Sequence, residues 1–272
     1  MLKVLSLFLR KIFLIFNCEL RPKNIYEMSD DPMFVLSKIL EPQKVNIVID
    51  GGASIGDTSE SFSKLFPNAV VHAFEPFPAY LNALHKKGDQ NKNMKVHPLA
   101  LGKNNCTTAF NVNQSDGTNS LLKPNENATE IYGSLLKTES IIDVQVIKLD
   151  DWFKSSESQM IDILKLDLQG GELDALKGAQ DLFEQGLIKT VLCEFMFKNT
   201  YQDQASWIEL ARKIESYGLH LFNLYQKQYY NGQIIQADLL FIHPSILEIS
   251  KKKRTKNFHH FSNILISEMT KE

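Results

Sequence analysis

The stretch Val45–Gly56, VNIVIDGGASIG, is an apolar strand that breaks into a glycine-rich turn. A second apolar run, VVHAFEP, follows along the chain and carries Glu75 near its end. A buried strand, a glycine turn and an acidic residue about twenty positions further on form the layout that holds an adenosine-containing cofactor in open α/β sheets. This stretch therefore predicts the fold class and a cofactor site, and it leaves open which cofactor the turn binds.

Size and composition fit one large globular domain with terminal extensions. The chain has 272 residues, of which 43% are hydrophobic and 23% charged. A formal net charge of −2 lacks the basic excess that binding to nucleic acid phosphates needs, so no nucleic-acid partner is expected. The three cysteines show no CxxC spacing, which predicts neither a disulfide framework nor a zinc site and favours a reducing, cytoplasmic compartment.

Strand and helix patterns alternate from Val45 onward, which predicts an α/β fold with a parallel sheet and right-handed crossovers. The alternation is interrupted at residues 102–159, where two short strands flank the polar loop Gln114–Asn127. An excursion of this length covers a sheet edge or builds a substrate site. Near the end, the dipeptide Asn231-Gly232 is typical of a tight hairpin, so the last strand is expected to run antiparallel to its neighbour. The predicted strands are residues 45–50, 69–74, 95–101, 161–166, 190–195, 219–224 and 238–243, and the predicted helices are 33–40, 57–66, 79–87, 172–185 and 205–217.

Three segments are predicted: an amphipathic helix with a connector at 1–44, the α/β domain at 45–244 and a basic tail at 245–272. In residues 1–16 the apolar runs are far shorter than the roughly 20 residues that span a bilayer. Polar side chains fall on one narrow stripe of this helix and leave a wide apolar face. We expect that face to dock on the domain or on another subunit, with peripheral contact to an anionic membrane as the alternative. The oligomeric state stays open.

The glycine turn can be compared with two cofactor motifs. As a dinucleotide fingerprint it places Gly51, Ala53 and Gly56 at the three glycine positions, and a methyl group at the middle one obstructs the approach of a pyrophosphate. As the methyltransferase form, Asp-x-Gly-x-x-x-Gly, it supplies Asp50, Gly52 and Gly56 in register. S-adenosylmethionine has no phosphate, so the second interpretation is favoured.

The chemistry of S-adenosylmethionine assigns expected roles to the residues around the turn. A carboxylate accepts hydrogen bonds from both hydroxyls of a ribose diol, and Glu75 at the end of the second strand is placed to do so. The ammonium group of the cofactor needs an acidic or carbonyl partner, a role open to Asp50 and to the backbone around Gly52. The adenine is expected to pack near Ala100.

Four motifs of this chain resemble the FkbM-type S-adenosylmethionine-dependent methyltransferases over roughly residues 45–244. They are IDGGASIGDTS, AFEPFP, HPLALG and, as the most specific, ILKLDLQGGELDALKGA. The resemblance implies a Rossmann-like sheet of seven strands, mostly parallel with the last strand antiparallel, and helices on both faces. It also implies methyl transfer to a hydroxyl oxygen of a sugar, glycan, glycolipid or other small-molecule acceptor such as a secondary metabolite.

The chain departs from the family pattern at two positions. Ser54 stands where the family commonly has Asn, and its hydroxyl can still form local hydrogen bonds. Gln169 stands where the family commonly has Glu, so that residue cannot serve as a base here.

A general base is expected at the carboxyl ends of the central strands, where ligands bind in open α/β sheets. Asp167 and Glu194 each come at the end of a predicted strand, and Asp167 is the first choice for the base. Lys165 lies two residues earlier on the same side of its strand, so it is expected to set the charge of Asp167 or to hold the acceptor. The alternative role of Asp167 is to cap the following helix. No recognisable metal-ligand spacing occurs, so metal-independent transfer is expected.

Two other functions stay open from the residues alone. A cofactor-binding module without chemistry would retain the glycine turn, and the missing acid at Gln169 points weakly in that direction. An NAD-dependent oxidoreductase is the third possibility, and Ala53 argues against it.

Overall fold

The computed structural model describes residues 29–156 and 160–246. The helix predicted for residues 1–16 and nearly all of the tail at 245–272 lie outside the described residues. Within them, no helix is long and apolar enough to cross a membrane.

Ten strands in the described residues form a sheet of seven strands and a sheet of three. The order of the large sheet is β3-β2-β1-β7-β8-β10-β9, and only β10 runs antiparallel to both of its neighbours. This confirms the predicted sheet of seven strands with an antiparallel last strand. In chain order the strands are β1 Ile47–Gly51, β2 Val70–Phe74, β3 Met94–His97, β4 Ala100–Leu101, β5 Cys106–Asn113, β6 Thr138–Ile147, β7 Ile163–Leu166, β8 Thr190–Met196, β9 His220–Tyr230 and β10 Gln233–Ile242.

Helices cover both faces of the large sheet, as predicted. Side chains that alternate along a strand point to opposite faces: Ile163 packs with Phe62, while its neighbour Leu164 packs with Leu176 and Ile214. The helices are α1 Pro32–Ile39, α2 Asp57–Leu65, α3 Pro78–Gln90, α4 Thr129–Tyr132, α5 Leu149–Lys154, α6 Glu172–Lys177, α7 Gln180–Glu184 and α8 Trp207–Ser216.

The packed unit extends beyond residues 45–244 at both ends. Val35 and Leu36 of α1 are fully buried in the cluster that covers one face of the large sheet, and Ile246 joins the same cluster. Residues 32–39, predicted as part of a connector, therefore belong to the folded core.

Two predicted elements are divided in the structure. The strand predicted over residues 95–101 splits into β3 and β4, which belong to different sheets, because Pro98 between them has no N–H to continue a strand ladder. The helix predicted over residues 172–185 splits into α6 and α7. Between them Gly178 lies so close to the Gly102 carbonyl that a Cβ would overlap it.

The small sheet and the loop between its long strands stand over the carboxyl ends of the large sheet. Its order is β4-β6-β5, with β5 and β6 antiparallel. This confirms the two strands predicted in the interrupted segment. The loop between them carries residues 115–121 into the wall of a cavity, so the excursion contributes to a site, which was one of the two expected uses.

A stacked aromatic cluster joins β2 and β3 to α5. His72 Nδ1 lies 3.0 Å from His97 Nε2, and Trp152 lies edge-on to His72 with ring centroids 4.6 Å apart. Burial lowers the pKa of His72 to about 3 and that of His97 to about 4. The hydrogen bond between two ring nitrogens needs at least one neutral imidazole.

We expect acid to destabilise the protein through this pair. An unfolded histidine has a pKa near 6.5, so between about pH 6.5 and pH 4 the unfolded chain binds more protons, and the free energy of unfolding falls as pH falls. Urea unfolding at pH 7 and at pH 4.5 measures this slope. His72→Phe should show a shallower slope, whereas His85→Gln on the exposed face of α3 should match the wild type. Equal slopes for all three proteins would contradict the assignment.

Candidate active site

A cavity of about 460 Å³ lies at the carboxyl ends of the parallel strands. Gly52 and Glu75 line it after β1 and β2, Asp167 after β7 and Glu194 on β8, and residues 115–119 and Leu121 of the loop between β5 and β6 complete this wall. The crevice at the strand ends where the sheet order reverses is the usual ligand site of such a sheet.

The glycine turn is held tightly against the neighbouring strands. Gly52 has φ +76°, and a Cβ on it would overlap the carbonyl oxygen of Asp167. The backbone N–H groups of Gly52 and Ala53 both donate to the Phe74 carbonyl at 3.0 Å. Gly56, with φ +89°, ends the turn and caps α2. A residue with a side chain at position 52 would force the turn away from β7.

The carboxylate of Glu75 spans the turn and lines the cavity. Its Oε2 accepts from the Ser54 backbone N–H at 2.8 Å, and its Oε1 accepts from the Phe77 backbone N–H at 2.8 Å. Burial raises the pKa of Glu75, against the effect of these two hydrogen bonds. Each oxygen retains a lone pair, so the carboxylate can accept two hydroxyls of a ribose.

Asp50 lies behind the cavity rather than in its wall. It is fully buried, accepts from the Ser59 hydroxyl at 2.6 Å, and its Oδ1 lies 3.4 Å from the Lys165 ammonium. Lys165 Nζ also lies 3.3 Å from Asp167 Oδ2 and 3.4 Å from the Gly52 carbonyl. Burial opposes the charge of Lys165, but Asp167 and Asp50 outweigh it and raise its pKa. Asp50 is therefore the buried counter-ion of Lys165.

Gln169 links the two predicted acids. Its Nε2 donates to Asp167 Oδ1 at 3.0 Å and to Glu194 Oε2 at 2.8 Å. The Gln236 amide donates to the other oxygen of Glu194. Asp167 and Glu194 thus face the same part of the cavity, held by neutral amides.

Asp167 does not cap a helix. Helix α6 begins after Gly171 without a side-chain cap, and it is Glu172 that accepts from the Leu168 N–H at 2.8 Å and the Gly170 N–H at 3.2 Å. The alternative role considered for Asp167 is therefore not observed: Glu172 holds the turn before α6, and the Asp167 carboxylate contacts Lys165 and Gln169 and lines the cavity.

The loop over the cavity is fastened to the turn that follows β7. The Tyr201 hydroxyl lies 2.9 Å from the Thr118 carbonyl and 3.0 Å from Gln169 Oε1, and the Ser120 hydroxyl donates to the Gln169 carbonyl at 2.7 Å. None of Tyr201, Thr118 or Ser120 was predicted. They come from two separate segments, and no motif spacing connects them.

The end of the cavity at Asp167 and Glu194 is crowded with acids. Burial, Asp167 and Glu172 raise the pKa of Glu194 well above its usual range. Burial and Asp167 also raise the pKa of Asp238 to about 6. Burial raises the pKa of Glu172 to about 7.

The predicted site residues divide into two groups. One group lines the cavity, and the other supports it from behind. Cavity-lining are Gly52, Ser54, Glu75, Ala100, Asp167 and Glu194; outside the wall are Asp50, Gly51, Ala53, Gly56 and Lys165. In the part of the chain that the structure describes, no cluster of three or more His, Cys, Asp or Glu side chains is arranged to hold a metal ion.

Known methyltransferases are similar to this chain in sequence. The 2-O-methyltransferase NoeI of Sinorhizobium fredii is 23% identical over 177 residues, which cover 62% of this chain and 70% of the relative. The methyltransferase sdnD of Sordaria araneosa is 26% identical over 173 residues, which cover 54% of this chain and 65% of the relative.

Solved structures with a similar backbone are also methyltransferases, at low identity. Fibrillarin of Aeropyrum pernix in complex with natively bound S-adenosyl-L-methionine is 12% identical, with a TM-score of 0.41 over 76% of this chain and 72% of that chain. Precorrin-6y C5,15-methyltransferase of Geobacter metallireducens is 10% identical, with a TM-score of 0.43 over 82% of this chain and 94% of that chain.

The family follows from the sequence profile. Residues 50–221, more than half of the chain, match the methyltransferase FkbM domain. That range begins at Asp50 before the glycine turn and includes four carboxylates that line the cavity, Glu75, Asp116, Asp167 and Glu194. The chain belongs to the FkbM family of S-adenosylmethionine-dependent methyltransferases.

Proposed function

We propose that this protein transfers the methyl group of S-adenosylmethionine to a hydroxyl oxygen of a sugar, free or as part of a glycan, a glycolipid or a secondary metabolite. One observation carries the proposal: the Asp167 carboxylate lines the cavity while the Asp167 carbonyl touches Gly52 of the glycine turn. A candidate base thus lies directly beside the candidate donor site. The similarity to a 2-O-methyltransferase supports an oxygen acceptor.

The donor end of the cavity fits the cofactor. Gly52 of the turn lines the cavity, and Glu75 keeps a free lone pair on each oxygen for the ribose. When bound, S-adenosylmethionine supplies a methyl group on a positively charged sulfur. Ala100 and Leu101 provide an apolar wall at this end.

The charges of the cavity favour this cofactor over a dinucleotide. Glu75, Asp116, Asp167 and Glu194 line the wall, and among the described residues no Lys, Arg or His does. A pyrophosphate would meet acids without a compensating cation. A sulfonium is positively charged and suits such a wall.

At the acceptor, Asp167 is proposed as the general base. Its Oδ1 and Oδ2 each have one neighbour, Gln169 and Lys165, so each keeps a lone pair and one of them can take the proton of the acceptor hydroxyl. Lys165, itself held by Asp50, fixes the direction of the carboxylate. Alignment of the reactants supplies on the order of 7 kcal/mol or more in well-ordered sites, and a positioned base adds a factor of about 10² to 10⁴.

Glu194 is proposed to bind the acceptor rather than to remove its proton. Gln169 and Gln236 occupy one lone pair on each of its oxygens. The remaining lone pairs can accept from further hydroxyls of a sugar. A polyhydroxylated acceptor matches a wall that also carries Thr200, Tyr201 and Gln228.

Glu75→Gln should weaken cofactor binding. A glutamine has one acceptor oxygen, so its NH₂ group would face the backbone N–H of Ser54 or Phe77, and the ribose would lose one acceptor. We expect the Kd for S-adenosylhomocysteine to rise at least about tenfold by calorimetry. Glu215→Gln, an exposed change on α8, is the matched control. An unchanged Kd for Glu75→Gln would remove Glu75 from the cofactor site.

Asp167→Asn should abolish most of the catalysis. The amide cannot take a proton from the acceptor, so we expect kcat to fall about 10²- to 10⁴-fold, measured as S-adenosylhomocysteine formed with a panel of neutral sugars. Asp181→Asn, which neutralises an exposed acid on α7, is the control. Binding of S-adenosylhomocysteine by both variants checks that they are folded.

The same assay separates the proposal from its alternative. Methylated sugars identified by mass spectrometry support transfer to oxygen. Binding of S-adenosylmethionine without transfer to any acceptor, and no difference between Asp167→Asn and the wild type, would instead indicate a binding module without chemistry.

A further inference from the structure

The wall of the active-site cavity carries an unbalanced charge. Its acids stand at both ends: Glu75 at the donor end, Asp116 at the rim, and Asp167 and Glu194 at the acceptor end. No cationic side chain of the described residues lines it. A ligand that enters the cavity therefore meets negative charge on each side.

Lys165 lies behind the wall, paired with acids of the protein. The Lys165 side chain is only 12% exposed, and its ammonium lies 3.4 Å from Asp50 Oδ1 and 3.3 Å from Asp167 Oδ2. Its third neighbour is the Gly52 carbonyl at 3.4 Å. Lys165 partly balances the acids of the protein, and its side chain does not line the cavity where an anionic group of the acceptor would lie.

At the acceptor end, a negative charge is already unfavourable, as the pKa of Glu194 shows. Burial, followed by the charges of Asp167, Glu172 and Asp238, raises the pKa of Glu194. An anionic group of a ligand would meet the same repulsion and lose the same hydration as a carboxylate of the protein.

Neutral groups complete the wall. Gln169, Gln228, Gln236 and Thr200 line the cavity with amides and a hydroxyl. The Asn119 amide nitrogen, on the overlying loop, is buried and has no hydrogen-bond partner in the described protein. Such a donor is costly unless an oxygen of a ligand meets it. These groups match hydroxyls and neutral oxygens.

We propose that the site selects its acceptor by charge: it methylates hydroxyls on neutral or amine-bearing sugars and excludes sugars that carry a carboxylate, phosphate or sulfate near the reacting hydroxyl. The proposal rests on the sugar acceptor proposed above and narrows it. Like charges placed together at a desolvated site weaken binding strongly, so we expect kcat/KM to be at least about hundredfold lower for an anionic sugar.

Matched sugars test the proposal with the full-length protein and S-adenosylmethionine. The probes are the methyl glycosides of glucose, glucuronic acid and glucosamine, and the same three derivatives of galactose. The neutral sugar and the uronic acid of each pair differ only at C6. The ratio of their kcat/KM values therefore measures the effect of the negative charge. We expect turnover of neutral and amino sugars and at least about hundredfold less of the uronic acids.

Variants locate the source of the discrimination. Glu194→Gln and Asp116→Asn each remove one negative charge from the wall. Glu194→Gln should narrow the ratio of kcat/KM for the neutral sugar to that for the acidic sugar by about tenfold. Asp116→Asn should narrow it by less, because Asp116 is exposed and solvent screens its charge. Both expectations hold whatever the activity of the variant itself. Asp174→Asn removes the same charge from the exposed face of α6, where Asp174 pairs with Lys103 and Lys177, and should leave the ratio unchanged.

The outcomes separate this inference from the proposed function. Equal turnover of glucuronide and glucoside, or an unchanged ratio in both cavity variants, overturns charge selection and leaves sugar methylation standing. Transfer to phenol but to none of the sugars overturns the proposed acceptor, and the pair phenol and 4-hydroxybenzoate then decides charge selection in the same way. Transfer to none of these compounds overturns both.

Discussion

The backbone contact between Gly52 and Asp167 is the constraint on which the rest of the site depends. A Cβ at position 52 would overlap the Asp167 carbonyl oxygen, and the Asp167 N–H donates to the Gly51 carbonyl at 3.1 Å. The turn that forms the donor site and the residue that ends β7 are thus fixed to each other by main-chain atoms. Alignment of the proposed donor site with the proposed base is then set by the sheet rather than by flexible side chains.

Burial of a single cation organises the charges around that contact. Lys165 joins Asp50 beneath the turn to Asp167 at its edge, and it bonds the Gly52 carbonyl as well. Removal of either acid would leave a buried ammonium with less compensation, which is far more costly than the pair itself is stabilising. The conspicuous Asp50 of the motif therefore acts on the site through Lys165 and not through the cavity wall.

How much of the site could be predicted depends on how far apart its parts lie in the sequence. Gly52, Glu75 and Asp167 follow from strand ends and motif spacing, because the parallel fold brings all strand ends to one edge. Tyr201 and Thr118 could not be predicted, since their contact is made by two loops that no periodicity relates. The division of the strand at residues 95–101 had a local signal in Pro98, which removes a ladder donor.

Gln169 acquires a different meaning once its neighbours are known. In the sequence, Gln169 replaces the Glu that the family commonly has, and this replacement points weakly to an inactive protein. In the structure its Nε2 donates to both Asp167 and Glu194, 3.0 and 2.8 Å away. A glutamate there would place a third carboxylate between two others and supply no proton to either. The amide thus allows both acids to stay in one crowded wall, so its presence is compatible with an active site built from Asp167 and Glu194.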